Sequence, residues 1–126
     1  MGEIEAVLSK VRKVDFDKIL EYEVILIGSP NYFGGPVRGI RKFIDKLGEF
    51  DFGGKSMAVF DTCVKTDFEK AVKKMEKRID EKITGVKLAL PGLSIKVKGL
   101  KGPIIEEEFP RCKEFGHNIA NKVIED

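Results

Sequence analysis

The sequence predicts an α/β fold with a mostly parallel sheet, on three observations. Apolar segments of strand length alternate with amphipathic segments of helical length along the 126-residue chain. In the segment 23–28, residues 24–27 are apolar at consecutive positions, as in a strand that is buried on both faces. Turn-prone residues follow the apolar runs. The length corresponds to one domain, which we expect to span residues 1–126.

The first predicted elements lie before residue 49. Residues 15–22 have the pattern of a short helical turn, with Asp15 as its cap. Residues 23–28 form the first clear strand. A helix then begins at Pro36, whose missing N–H costs nothing in a first turn, and it ends near Gly48. Its apolar stripe consists of Val37, Ile40, Phe43, Ile44 and Leu47.

The remaining elements continue the alternation. Residues 56–60 predict a second buried strand, and residues 66–82 predict a helix. Residues 86–90 predict a strand at the edge of the sheet. Residues 94–98 either extend this strand or pair with it. The mixed charges of residues 70–82 indicate a solvated helix face. A last helix is expected from Glu107 or Glu108. The inward side chains are predicted to be Phe68, Val72, Met75 and Ile79 in the first of these helices and Phe109, Cys112, Ile119 and Val123 in the second.

Residues 4–11 are ambiguous. Ile4, Val7, Leu8 and Val11 have helical spacing, while residues 6–8 also have the composition of a short strand.

The composition excludes several functional classes. With 42% hydrophobic and 35% charged residues, the chain is expected to fold. A net charge of +2 is too small to indicate nucleic-acid binding. No apolar run has the length of a membrane span and no signal-peptide pattern occurs, so we expect a cytoplasmic protein without membrane contacts. The lack of glutamine, with abundant Lys and Glu, favours a thermophilic source.

The sequence contains no metal-binding or acid–base pattern. The two cysteines, Cys63 and Cys112, form no CxxC pair, and a single histidine cannot complete a zinc site with them. We expect both thiols to be reduced, and we assign no metal ligand and no catalytic residue. In parallel α/β sheets, ligands bind at the carboxyl ends of the strands. Residues 29–35 and 61–65 lie there, so any site is expected between these two loops.

The segment EYEVILIGSPNYFG, residues 21–34, resembles the flavodoxin-like family. It is particularly similar to the branch of NAD(P)H-dependent FMN reductases and multimeric flavodoxins, although Glu23 stands where that branch usually has Asp. Residues 58–62 (AVFDT) resemble the family's fourth strand. Gly102-Pro103, the acidic patch after it and the last helix resemble the family's C-terminal end.

This resemblance implies FMN as the cofactor and an electron-transfer function, with the flavin itself supplying the chemistry. If the protein is an enzyme, the resemblance implies an NAD(P)H-dependent FMN-type reductase. An aromatic loop can stack on the flat ring, and free N–H groups can bond its polar edge. The implied cofactor-binding residues are Ser29, Pro30, Asn31, Tyr32, Phe33, Gly34, Thr62, Cys63 and Val64.

The family's first strand, hydroxyl-rich phosphate loop and first helix have no counterpart in this sequence. We therefore expect an N-terminally truncated, doubly wound flavodoxin-like sheet of about four strands, lacking roughly 30 residues or one βα unit. The alternative hypothesis is that this sequence is a fragment of a longer flavodoxin.

Such a truncation would leave residues 24–27 at an open sheet edge, which favours aggregation or pairing. Residues 4–11 would fill the vacant position as a strand, exchange into a partner chain, or lie over the sheet as a helix. We accordingly expect a homodimer, or a protein partner that covers the edge. The alternative function is a cofactor-free scaffold for assembly or partner binding.

Overall fold

The computed structural model describes residues 6–99 and 102–125 and contains one sheet. Its strands are β1 (Val24–Pro30), β2 (Ser56–Cys63), β3 (Lys87–Leu88) and β4 (Leu93–Lys96). Every ladder in the four-stranded sheet is parallel. The α/β class, the parallel sheet and the number of strands are as expected from the sequence.

The helices are α1 (Phe16–Ile19), α2 (Arg38–Leu47), α3 (Lys70–Lys82) and α4 (Phe109–Glu125). Three 3-10 turns accompany them, at Val11–Lys13, Lys65–Asp67 and Glu106–Glu108. Asp15 caps α1 as predicted, since its carboxylate accepts the N–H groups of Asp17 and Lys18.

Strand β2 is central in the sheet. On one side it pairs with β1 along the whole of that strand, from Val24 opposite Ser56 to Pro30 opposite Thr62. On its other side it pairs first with β3 and then with β4. The two short strands predicted near residues 86–98 therefore form one interrupted edge. At the interruption the chain passes close to α3. Gly92 has no room for a side chain there, because a Cβ atom added to it would lie 2.3 Å from Val72 Cγ1.

The hydrophobic core lies between one face of the sheet and the pair of helices α2 and α3. Four buried side chains of the sheet contribute to it, namely Ile25, Ile27, Met57 and Val59. Four of the five residues predicted for the apolar stripe of α2 are buried in this core, namely Ile40, Phe43, Ile44 and Leu47. The fifth, Val37, is only half-buried, because the helix begins at Arg38 rather than at Pro36 and Val37 is its N-cap. Burial of these apolar surfaces away from water is the main source of the fold's stability.

The structure also corrects the predictions for α3 and α4. The helix expected from residue 66 begins only at Lys70, because Glu69 adopts a left-handed conformation with φ of 64° after the 3-10 turn. Phe68, expected inside, is therefore 39% exposed. In α4, Phe109 was also expected inside but is 49% exposed, since it stands at the solvent-facing start of the helix. The side chain of Val123 lies outside the described part.

Residues 6–10 form neither the strand nor the helix that their sequence allowed. They have no regular structure, and Val7 and Leu8 are 61% and 99% exposed. Ile4 lies outside the described residues. Within residues 6–99 and 102–125, nothing pairs with the outer edge of β1. The expectation that this strand is buried on both faces is wrong, because burial alternates along β1 and Leu26, which points away from the core, is 48% exposed.

Candidate functional site

The loops after β1 and β2 lie side by side at the carboxyl edge of the sheet. Asn31 connects them, because its backbone N–H and its side-chain Nδ2 both donate to the carbonyl oxygen of Thr62, at 3.0 and 3.1 Å. The two segments that the sequence pointed to, residues 29–35 and 61–65, therefore form one continuous surface.

Residues 32–35 form a tight turn, here called the aromatic turn. Tyr32 N–H donates to the Gly35 carbonyl at 2.7 Å, and Gly35 N–H donates back to the Tyr32 carbonyl at 3.2 Å. The two central residues, Phe33 and Gly34, both have positive φ angles, of 52° and 72°. This is the pattern of a type I′ turn, which favours Asn or Gly at both central positions.

The rings of the aromatic turn project into solvent. Phe33 is 91% exposed and Tyr32 is 64% exposed, with their centroids 4.6 Å apart in an edge-to-face arrangement. Neither ring belongs to the core. A phenylalanine held in the left-handed region costs about 1–2 kcal/mol, and such strain concentrates at functional sites. An exposed ring at a strained position is thus the clearest sign of a binding function here.

Ser29, three residues before the aromatic turn, stabilises the geometry of the turn. The buried hydroxyl of Ser29 donates to the Pro30 carbonyl at 2.8 Å and accepts the N–H of Val37 at 3.1 Å. Ser29 thereby ties the end of β1 to the start of α2. Its hydroxyl is already engaged in these two contacts.

Side chains from three strands or strand ends cap the N-terminus of α3. Asn31 Oδ1 accepts the N–H of Ala71 and Asp61 Oδ2 accepts the N–H of Val72, both at 2.9 Å. Ser94 Oγ accepts the N–H of Glu69, also at 2.9 Å. These bonds satisfy backbone donors that a helix start otherwise leaves unpaired.

A buried polar cluster lies beneath this helix start. Ser94 Oγ donates to Asp61 Oδ1 at 2.5 Å and lies 3.3 Å from Cys63 Sγ. Because the hydroxyl proton is committed to Asp61, the thiol donates to Ser94. The Asp61 carboxylate is fully buried and accepts both the Ser94 hydroxyl and the N–H of Val72. Burial raises the pKa of the Cys63 thiol, with Ser94 opposing the shift and Asp61 adding to it.

The sequence-predicted site residues thus divide into two groups. The side chains of Ser29, Asn31 and Cys63 point inward and hold the loops in place. Pro30 is exposed and Thr62 half-buried at the paired ends of the strands.

Tyr32 and Phe33 form the outer part of the site, with the buried Gly34 and the half-buried Val64 beside them. Within the described residues, the backbone N–H groups of Phe33, Gly34 and Val64 donate to no acceptor. The rings provide a stacking surface and the free N–H groups provide donors, so this part suits a flat ligand with polar atoms on its edge.

Two lysines that sequence reasoning did not assign to the site flank the aromatic turn. A Cβ atom added to Gly34 would lie 3.3 Å from Lys70 Cδ, and one added to Gly35 would lie 3.3 Å from Lys74 Cδ. With Phe68, Glu69 and Lys73, these lysines line a shallow cleft of about 370 Å³. In the sequence these lysines belong to the charged segment 70–82, whose mixed signs indicate a solvated helix face.

No group of three His, Cys, Asp or Glu side chains is arranged to hold a metal ion in the described part of the chain. None of the helices found there has the length and apolarity needed to cross a bilayer.

Comparison with solved structures gives clear matches. Flavodoxin 2 from Bacillus cereus is 31% identical, with a TM-score of 0.70 over 86% of this chain and 72% of that protein. A Streptococcus pneumoniae flavodoxin matches with a TM-score of 0.76 and 19% identity, over 95% of this chain and 80% of its own.

A third match is a Fusobacterium nucleatum flavodoxin bound to flavin mononucleotide, with a TM-score of 0.55 and 20% identity over 91% of this chain and 78% of its own. Neither a protein-family model nor a curated protein sequence matches the chain.

Proposed function

Because this chain belongs to the flavodoxin family, we propose that it associates with FMN and transfers electrons. The flavin ring would bind between the loops that follow β1 and β2. Fusobacterium nucleatum flavodoxin has been solved with flavin mononucleotide bound. When bound, FMN supplies the redox chemistry, so no acid or base from the chain is required.

The single observation that carries this proposal is the exposed, left-handed Phe33 beside Tyr32 at the carboxyl edge of the sheet. A fold gains nothing from a strained aromatic residue that is almost fully solvated. A ligand that stacks on the ring recovers that cost by removing its surface from water. The binding function therefore explains a conformation that the stability of the chain alone does not.

The other residues of the site have supporting roles. Tyr32 and Phe33 would contact the ring faces, and the N–H groups of Phe33, Gly34 and Val64 would donate to its polar edge. Asn31 and Ser29 hold the two loops at fixed positions. Such preorganisation lowers the entropy cost of binding. The ring, rather than the phosphate, is the part of FMN that these loops suit.

The test is a titration followed by quenching of flavin fluorescence, with riboflavin and FMN compared in parallel. We expect both flavins to bind, with riboflavin retaining most of the affinity because the contacts are to the ring. Phe33→Asn keeps the left-handed turn but removes the ring, and should weaken binding about tenfold, the loss of roughly 1.4 kcal/mol. Phe109→Asn, at an exposed aromatic of α4, is the control and should bind like the parent.

Absence of quenching with the parent protein, or equal affinities for the parent and Phe33→Asn, would contradict the proposal. The resemblance to NAD(P)H-dependent FMN reductases motivates a second assay. NADPH oxidation in the presence of added FMN tests whether the protein is a reductase, and a rate equal to the protein-free rate would exclude that activity.

The second candidate function is a cofactor-free assembly module, and the open edge of β1 favours it. No described strand covers that edge, and Leu26 is 48% exposed beside it. Unpaired strand edges bind other strands readily. If the protein has this function, a second copy of the chain covers the edge. The two β1 strands would then pair directly and run antiparallel, because the dimer has two-fold symmetry.

Oligomeric state separates this candidate from a flavin function. Light scattering should show a dimer for the parent and a monomer for Leu26→Lys, because a charge on the edge strand opposes pairing. Leu88→Lys places the same charge on β3, at the far side of the sheet, and should remain dimeric. A monomeric parent with a tightly bound flavin would eliminate the assembly function.

A further inference from the structure

The charges of this protein are unevenly distributed over its surface. Helices α2 and α3 together carry ten Lys and Arg against four Asp and Glu, a net charge of +6. The rest of the chain carries thirteen Lys and Arg against seventeen Asp and Glu, a net charge of −4, so that the whole sums to +2. The two helices pack side by side, and their outer surface is a basic layer on a mildly acidic remainder.

Within this layer, Lys70, Lys73, Lys74 and Lys77 form what we call the lysine row. They follow the i, i+3, i+4, i+7 spacing that places side chains on one helix face, and all four are exposed. Lys70 lies 3.4 Å from Asp67. Among the described residues, the other three form no ion pair. Most of the charge of the row is therefore available to a partner.

Among the described residues, no acidic side chain of α3 forms an ion pair with the lysine row. Glu76 turns away and accepts the N–H of Gly92 at 2.9 Å. On the neighbouring helix, Asp45 is already paired with Arg78 at 2.7 Å. The exposed Arg41 and Lys42 of α2 add further positive charge. The surface potential of this side is accordingly positive over both helices.

The lysine row begins beside the aromatic turn. Lys70 and Lys74 flank Gly34 and Gly35, and the exposed rings of Tyr32 and Phe33 project from the same turn. Aromatic side chains surrounded by charged groups are the arrangement that protein interfaces use, with the aromatic residues supplying affinity and the rim supplying orientation.

We propose that the aromatic turn and the lysine row form a docking surface for a protein with an acidic surface. The proposal rests on the flavin function in one respect, because a partner seated there would lie beside the flavin ring. A docked protein fits the observations better than nucleic acid or an anionic membrane. The row spans only about 10 Å. An extended polyanion would also be repelled by the rest of the chain, whose net charge is −4.

The test measures direct binding with defined probes and with flavin-free protein. The chain is immobilised and exposed at low ionic strength to a small iron–sulfur electron carrier with a strongly acidic surface. Cytochrome c, which is basic, is the opposite-charge probe. A 20-base-pair DNA duplex and vesicles containing phosphatidylserine are the remaining probes. We expect the acidic carrier to bind, with an affinity that falls steeply as salt is added, and cytochrome c not to bind.

Two triple variants with equal charge changes identify the surface. Lys73→Gln/Lys74→Gln/Lys77→Gln removes three charges from the row and should weaken binding about tenfold or more, since close charges steer and hold an acidic partner. Lys87→Gln/Lys113→Gln/Lys122→Gln removes three exposed charges from β3 and α4 and should change the affinity less than about twofold. Circular dichroism verifies that both variants fold.

Each outcome decides the proposal. Failure of the acidic carrier to bind, or equal losses in the two triple variants, would overturn it. Stronger binding of the DNA or of the vesicles, lost only in the row variant, would assign the surface to that ligand and also overturn it. Because no flavin is present, docking can be observed even if the chain does not bind FMN, and flavin binding can be observed without docking.

Discussion

The side chain of Asn31 joins the end of β1 to the first turn of α3, because its Oδ1 accepts the N–H of Ala71 at 2.9 Å. The same amide donates through Nδ2 to the carbonyl of Thr62 at 3.1 Å. One side chain thus connects the first site loop, the second site loop and the helix that carries the lysine row. The position of the aromatic turn relative to the sheet depends on it.

Replacement of Asn31 by Ala should destabilise the protein by about 2 kcal/mol, since a helix cap and a second partly buried hydrogen bond are lost. Urea unfolding measures the change. Asn118→Ala, at an exposed position of α4, is the matched control and should alter the free energy of unfolding by less than about 0.5 kcal/mol. Equal effects of the two substitutions would show that the amide of Asn31 does not connect these elements.

Gly28 and Phe60 should be strongly coupled. A Cβ atom at residue 28 would lie 2.2 Å from the Phe60 ring, on the neighbouring strand. Gly28→Ala should therefore cost about 1–3 kcal/mol through overpacking. In the double variant with Phe60→Ala the obstruction is gone, so its total loss should be at least about 1 kcal/mol smaller than the sum of the two single losses. A strictly additive double-mutant cycle would contradict this contact.

Phe33→Asn should stabilise the folded protein while weakening flavin binding. Asparagine tolerates the left-handed conformation and Asn-Gly is a preferred pair in type I′ turns, so we expect a gain of about 1 kcal/mol in unfolding free energy. Gly34→Ala is the converse substitution, since φ is 72° there, and should destabilise the turn by a similar amount. Loss of stability in Phe33→Asn would mean that the ring contributes to folding.

The ion pair between Asp45 and Arg78 should make a small contribution that depends on pH. The bidentate hydrogen bond from Arg78 lowers the pKa of the Asp45 carboxyl below its ordinary value. A lowered pKa in the folded state stabilises the protein above the ordinary carboxyl pKa of about 4, and this contribution is lost as pH falls through the lowered value. Because both side chains are more than a third exposed, we expect only about 0.5 kcal/mol.

Urea unfolding of the parent and Asp45→Asn at pH 6.5 and pH 2.5 checks this expectation. The two proteins should differ at the higher pH and agree at the lower one. Asp80→Asn, an exposed aspartate of α3 with no ion pair among the described residues, makes the same charge change and should show little effect at either pH. A difference that persists at pH 2.5 would assign the effect to packing rather than to charge.

The sequence by itself determined the class of fold, the positions of its strands along the chain and the two loops that form the candidate site. These features depend on local patterns. Consecutive apolar residues identified β1 and β2, the apolar spacing of α2 identified its buried face, and the turn residues after each strand marked the carboxyl edge. The resemblance carried by residues 21–34 agreed with the family that the structural matches show.

Only the tertiary structure decided which side chains form the site and which support it. The capping of α3 by Asn31, Asp61 and Ser94 joins residues more than ten positions apart, so no local pattern contains it. The left-handed conformations of Phe33 and Glu69 contradict the preferences of these residue types, so the local sequence does not predict them. The lysine row likewise lies beside the aromatic turn because α3 packs beside the end of β1. The spacing of residues along the chain does not predict this packing.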